Sequence, residues 1–308
     1  MKRSLIPFDF EKELPEMKQN HYKWSLDYKS KTKTGTMGHI TFYESSPQSH
    51  GNLILLPGLA SNTSIEPLMK TVMYWSLKSN FNVYCIDTFL GDFVEKVTKK
   101  TAKKNTYKNF TKLLDTGLEL VEQQCLGQWS CLISHSLSGS GITDIFNERI
   151  KNNQKLRFSA AIMFAPYVSK DWHECLLQFF RKRYNLEHLS EEKTLNHAIG
   201  LMSPHTFSMY SKPHYIPILI NFYKTLDDNE LIPDLMNQWN IPVTFVVGGK
   251  DKKSPPETIY NLYKNLNNNN FKIVEFTGSK HSFIDQHKDY SAIIKLIKTQ
   301  RIKQKHIK

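Results

Sequence analysis

The chain has 308 residues, is 40% hydrophobic and carries a formal net charge of +12. That is enough apolar residue for a substantial core, in one large domain or one domain with an insertion. No run of about 18 apolar residues occurs, which excludes a membrane-spanning helix, and the basic start Met1–Phe10 is interrupted by Pro7 and Asp9 and does not read as a secretory leader.

In chain order, His21–Tyr28 and Gly38–Ser45 alternate polar and apolar residues, as an antiparallel hairpin at a sheet edge does. The apolar run Asn52–Leu56 follows. Ser64–Ser79 then carries Ile65, Leu68, Met69, Val72 and Met73 at spacings of three and four, which predicts a helix. A second apolar run, Asn82–Ile86, precedes a predicted helix over Tyr107–Gln124, with Phe110, Leu113, Leu114, Leu118 and Val121 on one face. Trp129–Ile133 and Ala160–Phe164 are the next runs, separated by a helical pattern over Gly141–Ile150. Val243–Val247, a helix over Pro256–Leu266 opened by Pro255-Pro256, the alternating run Phe271–Phe276 and a helix over Ser291–Ile302 complete the series. Continuous apolar strands alternating with helices predict a parallel sheet covered on both faces.

The rhythm breaks between about Val168 and Asn240. This stretch is rich in aromatics, among them Trp172, Phe179, Phe180, Tyr184, Phe207, Tyr210, Tyr215, Phe222, Tyr223 and Trp239. It reads as helices inserted between two strands, either as an extra packing layer or as a lid over an apolar pocket.

The segment Cys131-Leu-Ile-Ser-His-Ser-Leu-Ser-Gly139 carries the chemistry. An apolar run ends in small residues around a serine, and a helical pattern begins. A strand–turn–helix elbow that lifts a serine Oγ on a sharp turn needs small residues two positions either side of it. Here those positions are Ser134 and Ser138 around Ser136, where glycines are usual, with Gly139 next. Ser138 offers a rival frame. A serine hydroxyl becomes a nucleophile only with a base, usually a histidine held by a carboxylate. His281, after Glu275-Phe-Thr-Gly-Ser-Lys, is the candidate base, and Asp251, at the end of Phe245-Val-Val-Gly-Gly-Lys, the candidate acid. The order Ser, Asp, His is the one this architecture uses. Asp87 is a rival acid, and His135 is expected to point away from the triad. The oxyanion needs two backbone N–H donors. Leu137, after the nucleophile, supplies one. Leu59, in Leu55-Leu-Pro-Gly-Leu-Ala-Ser61, is the candidate for the other, with Ala60 second.

The cysteines Cys85, Cys125, Cys131 and Cys175 form no CxxC pair, so no zinc site is expected, and Cys85 and Cys131 fall in strand-like runs. They predict a reducing, cytoplasmic setting. Much of the positive charge lies in Lys96–Lys112 and in the tail Lys295–Lys308. It is either a solvated face or an attraction for an acidic carrier protein or an anionic membrane surface. No nucleic-acid motif accompanies it, and no nucleic-acid partner is expected.

With Leu55-Leu-Pro-Gly-Leu59, Ile86-Asp87 with Gly91, Ser134–Gly139, Val247–Asp251 and Gly278–His281 in order, the chain resembles the α/β-hydrolase superfamily over about residues 38–300. The resemblance implies an α/β fold with an eight-stranded, mostly parallel sheet, helices on both faces, and a helical cap between strands six and seven. The cap would be 168–240, between core segments 1–167 and 241–308. It also implies that no cofactor is used. Pro57 stands where a histidine often precedes the oxyanion-loop glycine. Superfamily members such as dehalogenases and epoxide hydrolases use an aspartate nucleophile, against which Ser136 argues.

The expected function is a serine hydrolase acting on a carboxylic ester or thioester of an acyl or lipid-like substrate, through an acyl-enzyme on Ser136. The alternatives are an acyltransferase or thioesterase acting on groups linked to acyl carrier protein or coenzyme A, and a non-catalytic binding protein on the same scaffold.

Overall fold

A computed structural model describes residues 19–29, 37–58, 66–88, 107–167, 172–191, 233–283 and 290–305, with 16, 193, 194 and 197. Its strands are β1 (Tyr22–Lys29), β2 (Met37–Tyr43), β3 (Asn52–Leu56), β4 (Asn82–Asp87), β5 (Ser130–His135), β6 (Ala160–Phe164), β7 (Val243–Gly248) and β8 (Phe271–Phe276). Its helices are α1 (Pro67–Lys78), α2 (Tyr107–Gln124), α3 (Leu137–Lys151), α4 (Trp172–Tyr184), α5 (Pro233–Met236), α6 (Pro256–Lys264) and α7 (Tyr290–Lys305).

The strands form one eight-stranded sheet in the order β1-β2-β4-β3-β5-β6-β7-β8. β1 pairs antiparallel with β2, and β2 antiparallel with β4; every pair from β4 to β8 is parallel. The edge hairpin expected from the alternating early segments is thus in place, at one edge of a parallel sheet.

The strands β3 to β7 are buried at every residue. The reason is the two-residue period of a strand, with helices on both faces. Leu53 and Leu55 of β3, Val83 and Cys85 of β4, and Cys131 and Ile133 of β5 face one core. There they meet Leu68, Met69, Val72 and Met73 of α1 and Ile293, Ile294 and Ile297 of α7. Ile54, Leu56, Tyr84, Ile86 and Leu132 face the other core, with Phe110, Leu113, Leu114 and Leu118 of α2, Ile142, Ile145 and Phe146 of α3, and Ile259 and Leu262 of α6. Each fully buried leucine or isoleucine contributes on the order of 1.5–3 kcal/mol. β8 is an outer strand, and its burial is partial and interrupted.

Of the segment 168–240 expected as a cap, the described part includes α4 and α5. Leu177 and Phe180 of α4 are buried in the same core as α2 and α3. Trp239, in the same aromatic stretch, is buried in the core, as the packing-layer reading expects. Its ring meets Phe146 edge-on at 5.1 Å, and its Nε1–H donates to Asn147 Oδ1 at 3.0 Å. A tryptophan four residues before a strand has no local signal that separates core from lid. Phe207, Tyr210, Tyr215, Phe222 and Tyr223 lie outside the described residues.

Candidate active site

The nucleophile candidate sits on a one-residue link. β5 ends at His135, α3 begins at Leu137, and Ser136 between them has φ 56° and ψ −122°. A non-glycine residue there stores on the order of 1–3 kcal/mol of strain and persists only where its surroundings hold it. They do so through the backbone. Ser136 N–H donates to Phe164 O at 2.8 Å, and Gly139 N–H donates to Ser136 O at 2.9 Å. The turn lifts the side chain off the sheet at the C-terminal ends of the parallel strands, where the loops of such a sheet converge on a site.

The flanking serines have their own places. Ser138 Oγ donates to the Pro57 carbonyl, and Ser140 Oγ to the Tyr167 carbonyl. Ser138 therefore fastens the start of α3 to the loop after β3, which leaves Ser136 as the frame whose hydroxyl faces His281. The close approach is made by Gly139 instead: a Cβ there would lie 2.6 Å from Pro166 Cβ. A Cβ on Gly58 would lie 3.2 Å from His135 Nδ1 and 3.3 Å from Ser136 Cβ, so the loop after β3 presses onto the elbow.

His281 and Asp251 reach Ser136 from the far strands. Ser136 Oγ lies 2.9 Å from His281 Nε2, and His281 Nδ1 lies 2.8 Å from Asp251 Oδ2. The carboxylate fixes the ring proton on Nδ1, so the Nε2 lone pair faces the serine hydroxyl. Asp251 is itself held: its Oδ1 accepts from the N–H of Lys253 at 2.8 Å and of Ser254 at 3.0 Å. Ser254 Oγ in turn donates to the Pro166 carbonyl at 2.9 Å, tying the loop after β7 to the loop after β6. Gly248 lets the loop that carries His281 come close to the end of β7, since a Cβ there would meet the Ser279 carbonyl oxygen at 2.6 Å. Burial pushes His281 down to about 4, although Asp251 pulls the other way. It is therefore neutral and basic at Nε2 over the ordinary pH range.

Three neighbours were not singled out by sequence reasoning in these roles. Tyr167 stacks on His281 at 5.5 Å between centroids, with its hydroxyl 3.5 Å from Nε2. Glu66 precedes Pro67 at the start of α1, and its Oε2 accepts from Gly58 N–H at 2.7 Å. Its Oε1 pairs with His135 Nδ1. His135 was expected to turn away from the triad. It does not bind the serine, but its Nε2 lies 2.8 Å from the His281 carbonyl and its ring 5.0 Å from the His281 ring. Nothing local marks Glu66 or Tyr167, because their partners lie far away in sequence.

Leu137, a candidate oxyanion donor, is the first residue of α3, where a backbone N–H has no intrahelical acceptor. Leu59 and Ala60 lie outside the described residues. Asp87, the rival acid, ends β4 opposite His39, and it is Asp251 that holds His281. Cys85, Cys125 and Cys131 are buried thiols, and burial pushes Cys125 up to about 12. Such a thiol is not a nucleophile near neutral pH. Among the described residues, no group of three His, Cys, Asp or Glu side chains could hold a metal ion. No described helix is long and apolar enough to cross a membrane.

No protein-family model matches the chain, and no curated protein matches it by sequence. Solved structures do match. The esterase Pf2001 of Pyrococcus furiosus superposes with a TM-score of 0.62 at 15% identity, covering 96% of this chain and 95% of that one. Est1E of Butyrivibrio proteoclasticus gives 0.58 at 12% identity, over 90% of this chain and 98% of its own. A thermophilic esterase of Thermogutta terrifontis gives 0.57 at 14% identity, over 91% and 100%. With the sheet order and the elbow, these likenesses define the fold: it is the α/β-hydrolase fold.

Proposed function

We propose that the protein is a serine hydrolase that cleaves a carboxylic ester or thioester through an acyl-enzyme on Ser136. The observation that carries this is the continuous hydrogen-bonded chain Ser136–His281–Asp251, with Ser136 held at positive φ on the elbow. The fold shared with proteins named as esterases supports the same reading. Ser136 Oγ attacks the acyl carbon while His281 Nε2 takes its proton, and Asp251 stabilises the imidazolium through Nδ1–H. The C=O π electrons move to oxygen, where Leu137 N–H and, from the loop after β3, Leu59 N–H receive the negative charge. Collapse breaks the bond to the alkoxide or thiolate, which leaves with the proton from His281. Water then attacks the acyl-enzyme by the same route in reverse, releasing the acid and restoring Ser136.

Between 168 and 240 we propose a cap that supplies an apolar acyl pocket. α4 supports this by anchoring the start of the segment, with Leu177 and Phe180 buried in the core. A cytoplasmic location belongs to the same proposal, in keeping with the buried thiols of Cys85, Cys125 and Cys131.

The test is hydrolysis of p-nitrophenyl esters and acyl-coenzyme A thioesters graded by acyl length, by the wild type and by Ser136→Ala. Turnover by the wild type, abolished in the variant, supports the reading; equal turnover by both refutes it. The carrier-directed alternative rests on the basic run, of which Lys108 and Lys112 lie exposed on α2. It predicts activity on carrier-linked acyl groups that falls steeply with salt, with little on neutral esters.

A further inference from the structure

The catalytic face contains a second buried carboxylate–histidine pair, which the reaction above does not use. Glu66 and His135 are each less than a tenth exposed. Among the described residues each makes two polar contacts, one to the other and one to a loop. Glu66 Oε2 holds Gly58 N–H, at the root of the loop that carries the proposed oxyanion donor. His135 Nε2 holds the backbone carbonyl of His281. We infer that Glu66 and His135 form a positioning brace, which locks the oxyanion loop and the catalytic-histidine loop to the nucleophile elbow in one register.

The proton count supports this. A carbonyl oxygen only accepts, so His135 Nε2 carries a proton. A carboxylate oxygen and a bare ring nitrogen do not face each other at contact distance, so a second proton lies between Glu66 Oε1 and His135 Nδ1. Burial alone would raise Glu66 and lower His135. Their mutual attraction overrides it, leaving Glu66 below and His135 above its ordinary value. The brace is therefore an ion pair, with all of its contacts committed to structure. His135 lies next to Ser136 in the chain, so the elbow, Gly58 and His281 share one rigid connection. A buried ion pair is poor at adding stability but expensive to break and good at fixing one arrangement.

The kinetic part of the test rests on the hydrolase reading; the structural part does not. Glu66→Ala removes both contacts. Glu66→Gln keeps them: its amide N–H donates to Nδ1 of a neutral His135, and its amide oxygen accepts from Gly58 N–H. Each protein is assayed for kcat and KM on p-nitrophenyl butyrate and for amide hydrogen exchange in the peptides containing Gly58 and His281. Misplacement of reacting groups by about 1 Å costs up to about 100-fold. Glu66→Ala should thus lower kcat by about 10- to 100-fold with KM within about twofold, and both peptides should exchange faster. Glu66→Gln should stay within about threefold of wild type, with wild-type exchange. Should Glu66→Ala not fold, His135→Gln replaces it. Its amide still reaches the His281 carbonyl but abandons Glu66, so the link between the two loops is lost and exchange should rise at both segments, as in Glu66→Ala. Unchanged exchange at both segments, or a Glu66→Gln enzyme as impaired as Glu66→Ala, overturns the brace. If the wild type does not turn over the ester, the hydrolase reading fails, and the exchange experiment still decides the brace.

Discussion

Replacing Asp251 by asparagine separates orientation from charge at this site. Oδ1 of Asp251 accepts two backbone N–H groups, from Lys253 and Ser254. In Asp251→Asn the amide oxygen must keep that place, because an NH2 group cannot accept them. The amide NH2 is then forced toward His281 Nδ1, where Asp251 Oδ2 now lies at 2.8 Å. A donor there requires Nδ1 to become the acceptor, which moves the ring proton to Nε2. Nε2 then points a proton at Ser136 Oγ and can no longer take one. The protein should fold as before, since every contact has a replacement. A wrong tautomer of this kind lowers kcat by about 10⁴-fold, equivalent to about 5.4 kcal/mol of transition-state stabilisation. The assay is kcat for p-nitrophenyl ester hydrolysis, with the thermal midpoint as a control on folding. A folded Asp251→Asn enzyme within about tenfold of wild type would refute the assignment of Asp251 as the orienting carboxylate.

Other consequences can be measured separately. Because burial sets His281 at about 4, below the ordinary histidine value, protonation blocks the base only in acid. kcat/KM should rise with pH through about 4 and be flat near neutrality; a midpoint at 6.5 or above contradicts the buried, neutral imidazole. Ser138→Ala removes the bond to the Pro57 carbonyl and leaves that oxygen buried. It should cost about 1–3 kcal/mol in denaturant unfolding, and no loss would mean that the serine is merely tolerated. Gly248→Ala places a Cβ 2.6 Å from the Ser279 carbonyl oxygen, two residues before His281. It should cost about 1–3 kcal/mol and lower kcat as well, and a stable, fully active variant would show that the loop can yield.

Much of this arrangement is legible in the sequence, for definite reasons. The central strands are apolar at nearly every position because helices cover both faces, so Asn52–Leu56 and Ala160–Phe164 have the expected bounds. The helix after the elbow is the instructive difference. Periodicity starts it at Gly141, but α3 begins at Leu137. Its first turn is made of Ser138, Gly139 and Ser140, which carry no apolar rhythm because each is spent on a close approach or a loop bond. Ser136, Asp251 and His281 could be singled out because each ends or follows a strand-like run. Glu66 could not, because its reason for being charged is His135, far away along the chain. Trp239 shows the same limit for packing: an aromatic side chain beside an insertion has no local mark of which side of the sheet it fills.

The most direct test of the central claim is covalent labelling with a fluorophosphonate, read by mass spectrometry of the modified peptide. The probe reacts with a serine whose proton a neighbouring base removes. The account predicts one adduct, on the peptide spanning Ser130–Lys151, located at Ser136 and lost in Ser136→Ala and in His281→Ala. An adduct that persists in Ser136→Ala, or a folded wild-type protein that takes up no probe, would contradict it.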